Sequence, residues 1–266
     1  MKIVVCVKQV PDTTEVKVDE ETGTLIREGV PAVMNPFDQF ALEEAVALKK
    51  TAEESGADIE VIVLSMGPPQ ASKVIMKSLA LGADRGVLLT DRAFAGSDTW
   101  ATSYILASAI RTIGQVDLVM CGLQAIDGDT AQVGPEMGQQ LRFPQVTYVE
   151  SVSLDGKTVT AKKQTDRGLE VLAVKLPALI TLTPPTNFEP GNPPFSAIMK
   201  AKKKPQEEWG ADQIEGDTDK FGLNGSPTQV KKVYAPPKRD QGEMLEGTPA
   251  EVAKALAQRL AREVGL

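Results

Sequence analysis

Four short apolar runs, at residues 2–7, 59–65, 86–90 and 117–121, alternate with helical patterns through the first half of the chain. A strand buried on both faces reads as a continuous apolar run, and a helix between two such runs carries the chain back across the sheet. The alternation predicts an α/β fold, with a mostly parallel, doubly wound, Rossmann-like nucleotide-binding sheet and helices on both faces. In sheets of that kind ligands bind beyond the carboxyl ends of the strands. Those ends are where function is sought first.

The helix after the first run has a well-marked start. Asn35 suits the N-cap, Pro36 the first helical position, and Asp38 the first turn, where a negative charge is favourable. Phe37, Phe40, Ala41, Ala45 and Leu48 mark one face, and Glu43, Glu44, Lys49 and Lys50 the other. Further helices are predicted at 69–81, at 98–113, and from about Ala131 to just before Pro144.

From Thr147 the pattern changes. Alternating runs at 149–154 and 157–163 flank Asp155-Gly156, a strong hairpin signal. Two more strands are predicted at 169–174 and 178–182. Prolines then crowd residues 184–194, so the compact domain is expected to span 1–183. Residues 184–266 read as a recognition loop and an extended C-terminal arm. Within the arm, Thr248-Pro249-Ala250-Glu251 is a capping box, and Val252, Leu256, Leu260 and Val264 give the next helix an apolar stripe. A partner subunit and the chain's own domain are both candidates to cover that stripe.

Composition removes several functions. A formal net charge of −7 disfavours nucleic acid and anionic membrane. No uncharged apolar stretch of 18 or more residues occurs, so no membrane span is expected. The apolar run after Met1 is followed at once by Lys8 and by no small-residue cleavage site, which reads as a buried first strand of a cytoplasmic protein. The two cysteines, Cys6 and Cys121, lie inside apolar runs and read as small core residues. With no CxxC motif and no histidine, the usual metal ligands and the commonest general base are missing, and no metal site is expected. Any redox role would need an organic cofactor.

The richest stretch is Cys121-Gly122-Leu123-Gln124-Ala125-Ile126-Asp127-Gly128-Asp129-Thr130-Ala131-Gln132-Val133-Gly134. It leaves a strand and enters a helix, whose unpaired N–H groups favour phosphate oxygens. Gly122, Gly128 and Gly134 would let the backbone approach a ligand. The plainer reading is a connecting loop with Asp129 or Thr130 as N-cap, because Asp127 and Asp129 repel phosphate unless turned away. Neither a Walker lysine nor the GxGxxG spacing is present.

The run from Gly122 to Asp129 resembles the nucleotide-binding loop of electron-transferring flavoprotein beta subunits. Cys6-Val7-Lys8-Gln9-Val10-Pro11-Asp12, Met34-Asn35-Pro36-Phe37-Asp38 with Glu43-Glu44-Ala45, and Ile198-Met199-Lys200-Ala201-Lys202-Lys203-Lys204 resemble further family segments in the same order. The likeness covers nearly the whole chain. Residues 161–181 resemble the family signature and depart from it at Arg167, where glycine or an acid is expected.

The resemblance implies a heterodimer with a larger alpha subunit. Ordinary members hold AMP on beta. Electron-bifurcating members hold FAD there, with its ADP portion in the AMP position, and take electrons from NADH. The implied cofactor set comprises Cys6, Val7, Lys8, Gln9, Val10, Asn35, Asp38, Ser65, Met66 and the loop Gly122, Gln124–Gly134. A second strand end, Phe94, Gly96, Ser97, Asp98 and Thr99, resembles bifurcating members and is the implied NADH side; so does Gln9-Val10-Pro11-Asp12-Thr13. Its plainer reading is an N-cap with aromatic packing.

The bifurcating reading implies electron transfer to ferredoxin or flavodoxin and, through the alpha flavin, to an acyl-CoA dehydrogenase, with NADH oxidation only in complex with alpha. Phe195, Ile198, Met199, Lys200, Lys202 and Lys203 form the implied docking set for that dehydrogenase; the lysines alone read as a solvated surface. An ordinary AMP-binding subunit and a non-redox nucleotide-binding module remain as rival readings.

Overall fold

In the computed structural model the described residues are 1–12, 31–231, 242 and 244–265. Thr13, and residues 232–241 and 243 of the arm, lie outside them. Two compact units occur: residues 1–12 and 31–231 belong to the first, and 242 and 244–265 to the second.

The first unit begins with β1 (Lys2–Cys6), then a short ladder of β2 (Gln9–Pro11) and β3 (Ala32–Met34). It continues through α1 (Pro36–Glu54), β4 (Glu60–Met66), α2 (Ser72–Leu81), β5 (Arg85–Leu89), α3 (Thr99–Ile113), β6 (Leu118–Gly122) and α4 (Val133–Leu141). The later elements are β7 (Gln145–Asp155), β8 (Thr158–Thr165), β9 (Gly168–Lys175), β10 (Ala178–Leu182), α5 (Phe195–Ala201) and β11 (Gln206–Trp209).

Nine strands form one sheet in the order β11-β5-β4-β1-β6-β10-β7-β8-β9. Every neighbouring pair from β11 to β7 is parallel, and β8 and β9 add an antiparallel extension. Successive strands run outward from β1 through β4 to β5, and the chain then returns to place β6 on β1's other side. That reversal makes the β1/β6 boundary the switch point of a doubly wound sheet.

Burial follows from strand alternation. Ile3, Val5, Val63 and Met120 point into one core with α1 and α2. Val4, Cys6, Leu64 and Cys121 point into a second core with α3 and α4. The central strands are therefore apolar on both faces, as their sequence requires.

The domain limit expected at 183 moves to 231. β11 adds parallel to β5, with Gly86 N–H donating to Pro205 O (3.0 Å) and Thr90 N–H to Trp209 O (3.0 Å). Arg85 Nε reaches Glu207 Oε1 at 2.6 Å, and Trp209 and Phe221 are buried in the second core. The expected docking loop is also different: residues 195–201 form helix α5. Arg167 sits at the exposed tip of the β8–β9 hairpin, where its N–H donates to Thr165 Oγ1 (3.3 Å), so the departure from the family pattern falls on a solvated turn.

The second unit contributes α6 (Pro249–Val264). Thr248 and Glu251 form the expected reciprocal cap, and Leu256, Leu260 and Val264 are exposed along one side. Among the described residues, no helix is long and apolar enough to cross a membrane.

Candidate functional site

A cleft of ≈ 580 Å³ opens at the carboxyl ends of β1 and β6. Its walls are the exit of β1 (Cys6, Val7, Lys8), the 122–134 loop, and the first turns of α3 and α4. A second hollow, ≈ 310 Å³, lies by Met1 and Ile59 at the opposite ends of the strands. The switch-point cleft is the one placed where doubly wound sheets bind ligands.

The start of α4 faces this cleft. Its N-cap, Gln132, gives no side-chain hydrogen bond to the helix. Gln132, Val133 and Gly134 line the cavity, and the first N–H groups of a helix have no partner within it. Before it, Asp129 (φ 49°) and Ala131 (φ 53°) take left-handed backbone conformations, which turn the chain sharply into the helix. A diphosphate suits such a place, since N–H groups and the helix dipole both favour anions.

The two aspartates that would oppose an anion are engaged elsewhere. Lys8 Nζ contacts both Asp127 oxygens, at 2.7 and 2.8 Å, and Asp129 Oδ1 accepts from Gln124 Nε2 at 2.9 Å. Gly128 stands at the open edge, where an added Cβ would meet nothing within 4 Å. The donor set, the open glycine and the cavity size fit a nucleotide diphosphate.

The other two glycines serve packing rather than ligand approach. An added Cβ at Gly122 would meet Asp38 Oδ1 and Phe37 Cβ at 2.5 Å, and one at Gly134 would meet Thr181 Cγ2 at 2.6 Å. Gly122 is instead the seat of a buried contact. Its N–H donates to Asp38 Oδ1 (3.0 Å), and Lys8 N–H donates to Asp38 Oδ2 (2.8 Å). Burial pushes the Asp38 carboxyl up to about 7, against hydrogen bonds from Asn35, Lys8 and Gly122 and the Lys8 charge. Asn35 is wholly buried, with Nδ2 donating to Gln124 O (2.8 Å) and Oδ1 accepting from Ile126 N–H (3.2 Å).

Of the predicted cofactor set, Cys6, Val7, Lys8, Asp38, Met66, Ser97, Asp98, Thr99, Gly122, Gln124, Ala125, Gly128, Thr130, Ala131, Gln132, Val133 and Gly134 meet in this cleft. Asn35 bonds to the loop at Gln124 and Ile126, and Ile126, Asp127 and Asp129 are loop residues outside the lining. Gln9 reaches Gln70 O (3.3 Å), and Val10 and Ser65 are buried outside the lining, the Ser65 hydroxyl among the buried polar atoms with no hydrogen bond.

Phe94 is also core, edge-on to Phe221 at 5.6 Å, and Gly96 packs against Leu223. The start of α3 is closed by the protein itself. Asp98 Oδ1 caps Ala101 N–H (3.0 Å), while Asp98 Oδ2 accepts from Thr228 N–H (2.9 Å) and Thr228 Oγ1 (2.8 Å).

The lining also includes Thr102, Leu106, Cys121, Leu123, Met137 and Val230. Thr102 and Leu106 follow Asp98 at four-residue spacing on one face of α3, and Met137 follows Val133 on α4. That helical spacing was the available signal for them. Cys6 and Cys121 are register partners on the cleft floor, and burial raises both thiols, so they are inert wall atoms.

The docking set lies elsewhere on the first unit. Phe195 is 77% exposed at the start of α5, with Met199 exposed one turn on and Lys200, Lys202 and Lys203 solvated. Ile198 is half-buried. The platform is fixed at both ends. Gly191 N–H donates to Glu43 Oε1 (2.9 Å) and Gly191 O accepts from Gln39 Nε2 (2.7 Å). Beyond the helix, Lys204 Nζ donates to Leu79 O (2.9 Å) and Ala83 O (2.5 Å).

The profile of the electron transfer flavoprotein domain matches residues 22–214. The chain is 49% identical over 263 residues to an electron transfer flavoprotein subunit beta of Clostridium acetobutylicum, with 99% of each chain covered. It is 48% identical over 261 residues to subunit CarD of a caffeyl-CoA reductase-Etf complex of Acetobacterium woodii, with 98% of each covered. It is 44% identical over 263 residues to protein FixA of Bradyrhizobium diazoefficiens, covering 96% of this chain and 90% of the relative.

Proposed function

This chain belongs to the electron transfer flavoprotein beta-subunit family, and we propose that it binds FAD in the switch-point cleft and, with an alpha subunit, bifurcates electrons taken from NADH. The observation that carries the reading is the uncapped start of α4 facing a cleft where Asp127 is ion-paired with Lys8 and Asp129 is hydrogen-bonded to Gln124. Residues 130–134 would hold the diphosphate through backbone N–H groups, and the apolar floor of Val7, Leu106 and Met137 would exclude water from the rest of the cofactor. When bound, FAD supplies acceptance of a hydride and release of its electrons one at a time. The protein's part is to orient that group and set its surroundings.

One electron would pass to ferredoxin or flavodoxin and the other, through the alpha flavin, to an acyl-CoA dehydrogenase in the cytoplasm. The name of the Acetobacterium relative, a subunit in a complex with a reductase of a CoA thioester, supports a partner of that chemistry. α5 is the proposed docking element for the dehydrogenase, and the exposed stripe of α6 the proposed seat on the alpha subunit. Co-purification with the alpha subunit tests the reading. It predicts two flavins per heterodimer and bleaching of the flavin absorbance by NADH; one flavin with AMP contradicts it.

A second reading has its own support. Asp98 caps Ala101 and is held by Thr228, so a carboxylate occupies the start of α3, whereas the N-cap side chain of α4 makes no cap bond. A single anion position suits an ordinary subunit that holds AMP and accepts electrons from dehydrogenases.

A further inference from the structure

The first turn of α1 makes bonds that a helix start does not ordinarily make. An N-cap asparagine normally accepts from its own helix. Asn35 stands at the N-cap, yet its side chain gives no cap bond to the α1 backbone. Its amide instead reaches about ninety residues along the chain, donating to Gln124 O (2.8 Å) and accepting from Ile126 N–H (3.2 Å). One turn later, Asp38 accepts from Lys8 N–H (2.8 Å) and Gly122 N–H (3.0 Å). The backbone joins in, with Asn35 N–H donating to Lys8 O (2.9 Å).

These bonds hold both rims of the cleft, the exit of β1 at Lys8 and the exit of β6 at residues 122–126. The residue types match the task. Asn35 must donate to a carbonyl and accept from an N–H, which an amide does with two separate atoms. Asp38 faces two N–H groups and needs two acceptors. Gly122 completes the arrangement, because any side chain there would collide with Asp38 and Phe37.

We propose that Asn35 and Asp38 are positioning residues, a clasp on α1 that sets the gap between Lys8 and the 122–126 loop and thereby the affinity for a nucleotide. The clasp rests on the reading of this cleft as a nucleotide site. Asn35, which does not line the cleft, acts through the residues it bonds.

The test uses the full chain, ADP as probe, and the variants Asn35→Asp and Asp38→Asn. Asn35→Asp keeps the acceptor for Ile126 but sets a carboxylate against Gln124 O. Asp38→Asn keeps one acceptor of two. Amide hydrogen exchange should rise about tenfold or more at Ile126 in the first, and at Lys8 or Gly122 in the second, while amides of β7 and β8 stay protected and report that the chain is folded. ADP affinity by calorimetry should fall about tenfold in both. Parent-like ADP affinity in Asn35→Asp, with Ile126 exchange raised, overturns the clasp while leaving the site in place. Unchanged exchange at all three amides overturns it too. Absence of ADP binding by the parent overturns the reading of the cleft, and the affinity claim falls with it.

Discussion

The Lys8 ammonium sits 2.7 Å from the Asp127 carboxylate and so ties the exit of the first strand to the tip of the 122–134 loop. The pair is solvated, with side chains 47% and 28% exposed, so its share of stability is about 1 kcal/mol or less. Its larger effect is on the field in the cleft, where it neutralises a carboxylate beside the proposed phosphate position. Asp127→Asn should leave the melting temperature near the parent value and leave ADP affinity equal or higher. Lys8→Met should weaken ADP about tenfold, and the difference should shrink as salt is added. Calorimetry at two ionic strengths checks both.

The three loop glycines should separate in unfolding experiments. Gly122→Ala and Gly134→Ala drive a Cβ into Asp38 and Phe37, or into Thr181, and each should cost about 1–3 kcal/mol or more. Gly128→Ala faces open space and should unfold within about 0.5 kcal/mol of the parent. Urea midpoints decide this.

Asp38 gives stability a pH signature. Its carboxyl is raised by burial from an ordinary 3.8 to about 7. Unfolding lets it ionise earlier, so its contribution to stability is complete below about pH 4, is lost as pH rises toward 7, and is flat above that. The charged and titratable groups facing it are Lys8, which favours ionisation, and the buried thiols of Cys6 and Cys121. The difference in unfolding free energy between the parent and Asp38→Asn should change by up to about 1.4 kcal/mol per pH unit between pH 5 and 7 and then level off. A constant difference across that range contradicts it.

Phe195 should matter to a partner and not to the fold. At 77% exposure its truncation removes little from the core, so Phe195→Ala should melt like the parent. Binding of the acyl-CoA dehydrogenase should weaken by about 2 kcal/mol, roughly thirtyfold. Neutralising Lys202 and Lys203 should mainly slow association, an effect that salt erases. Surface plasmon resonance separates the two rates.

Much of the fold was legible because its strands are buried on both faces. Residues 178–182 read as a strand from their apolar run alone, and they are buried throughout. β11 was not legible: Gln206-Glu207-Glu208-Trp209 is a solvated edge strand with only Trp209 buried, so no apolar run marks it. α5 was hidden by the prolines before it.

At the site, the 122–134 loop was visible from its glycines and its place between strand and helix. What the glycines do was not. Freedom for a ligand at Gly128 and close protein packing at Gly122 and Gly134 look alike in sequence. Beside its place in the implied cofactor set, Asn35 looks in sequence like an ordinary N-cap, since the residue that caps a helix and the one that reaches past it to Gln124 and Ile126 are the same letter. Closure of the α3 start by Thr228 was out of reach, because the two residues are 130 apart in the chain.

The central claim is that residues 122–134 hold the diphosphate of a flavin on this subunit. The most direct measurement is the flavin count of the heterodimer purified with its alpha subunit, for the parent and for Gly128→Val, at a cleft-lining position where an added Cβ meets nothing within 4 Å. The account predicts two flavins in the parent and one in the variant, with the heterodimer intact in both. Two flavins retained in Gly128→Val would contradict it.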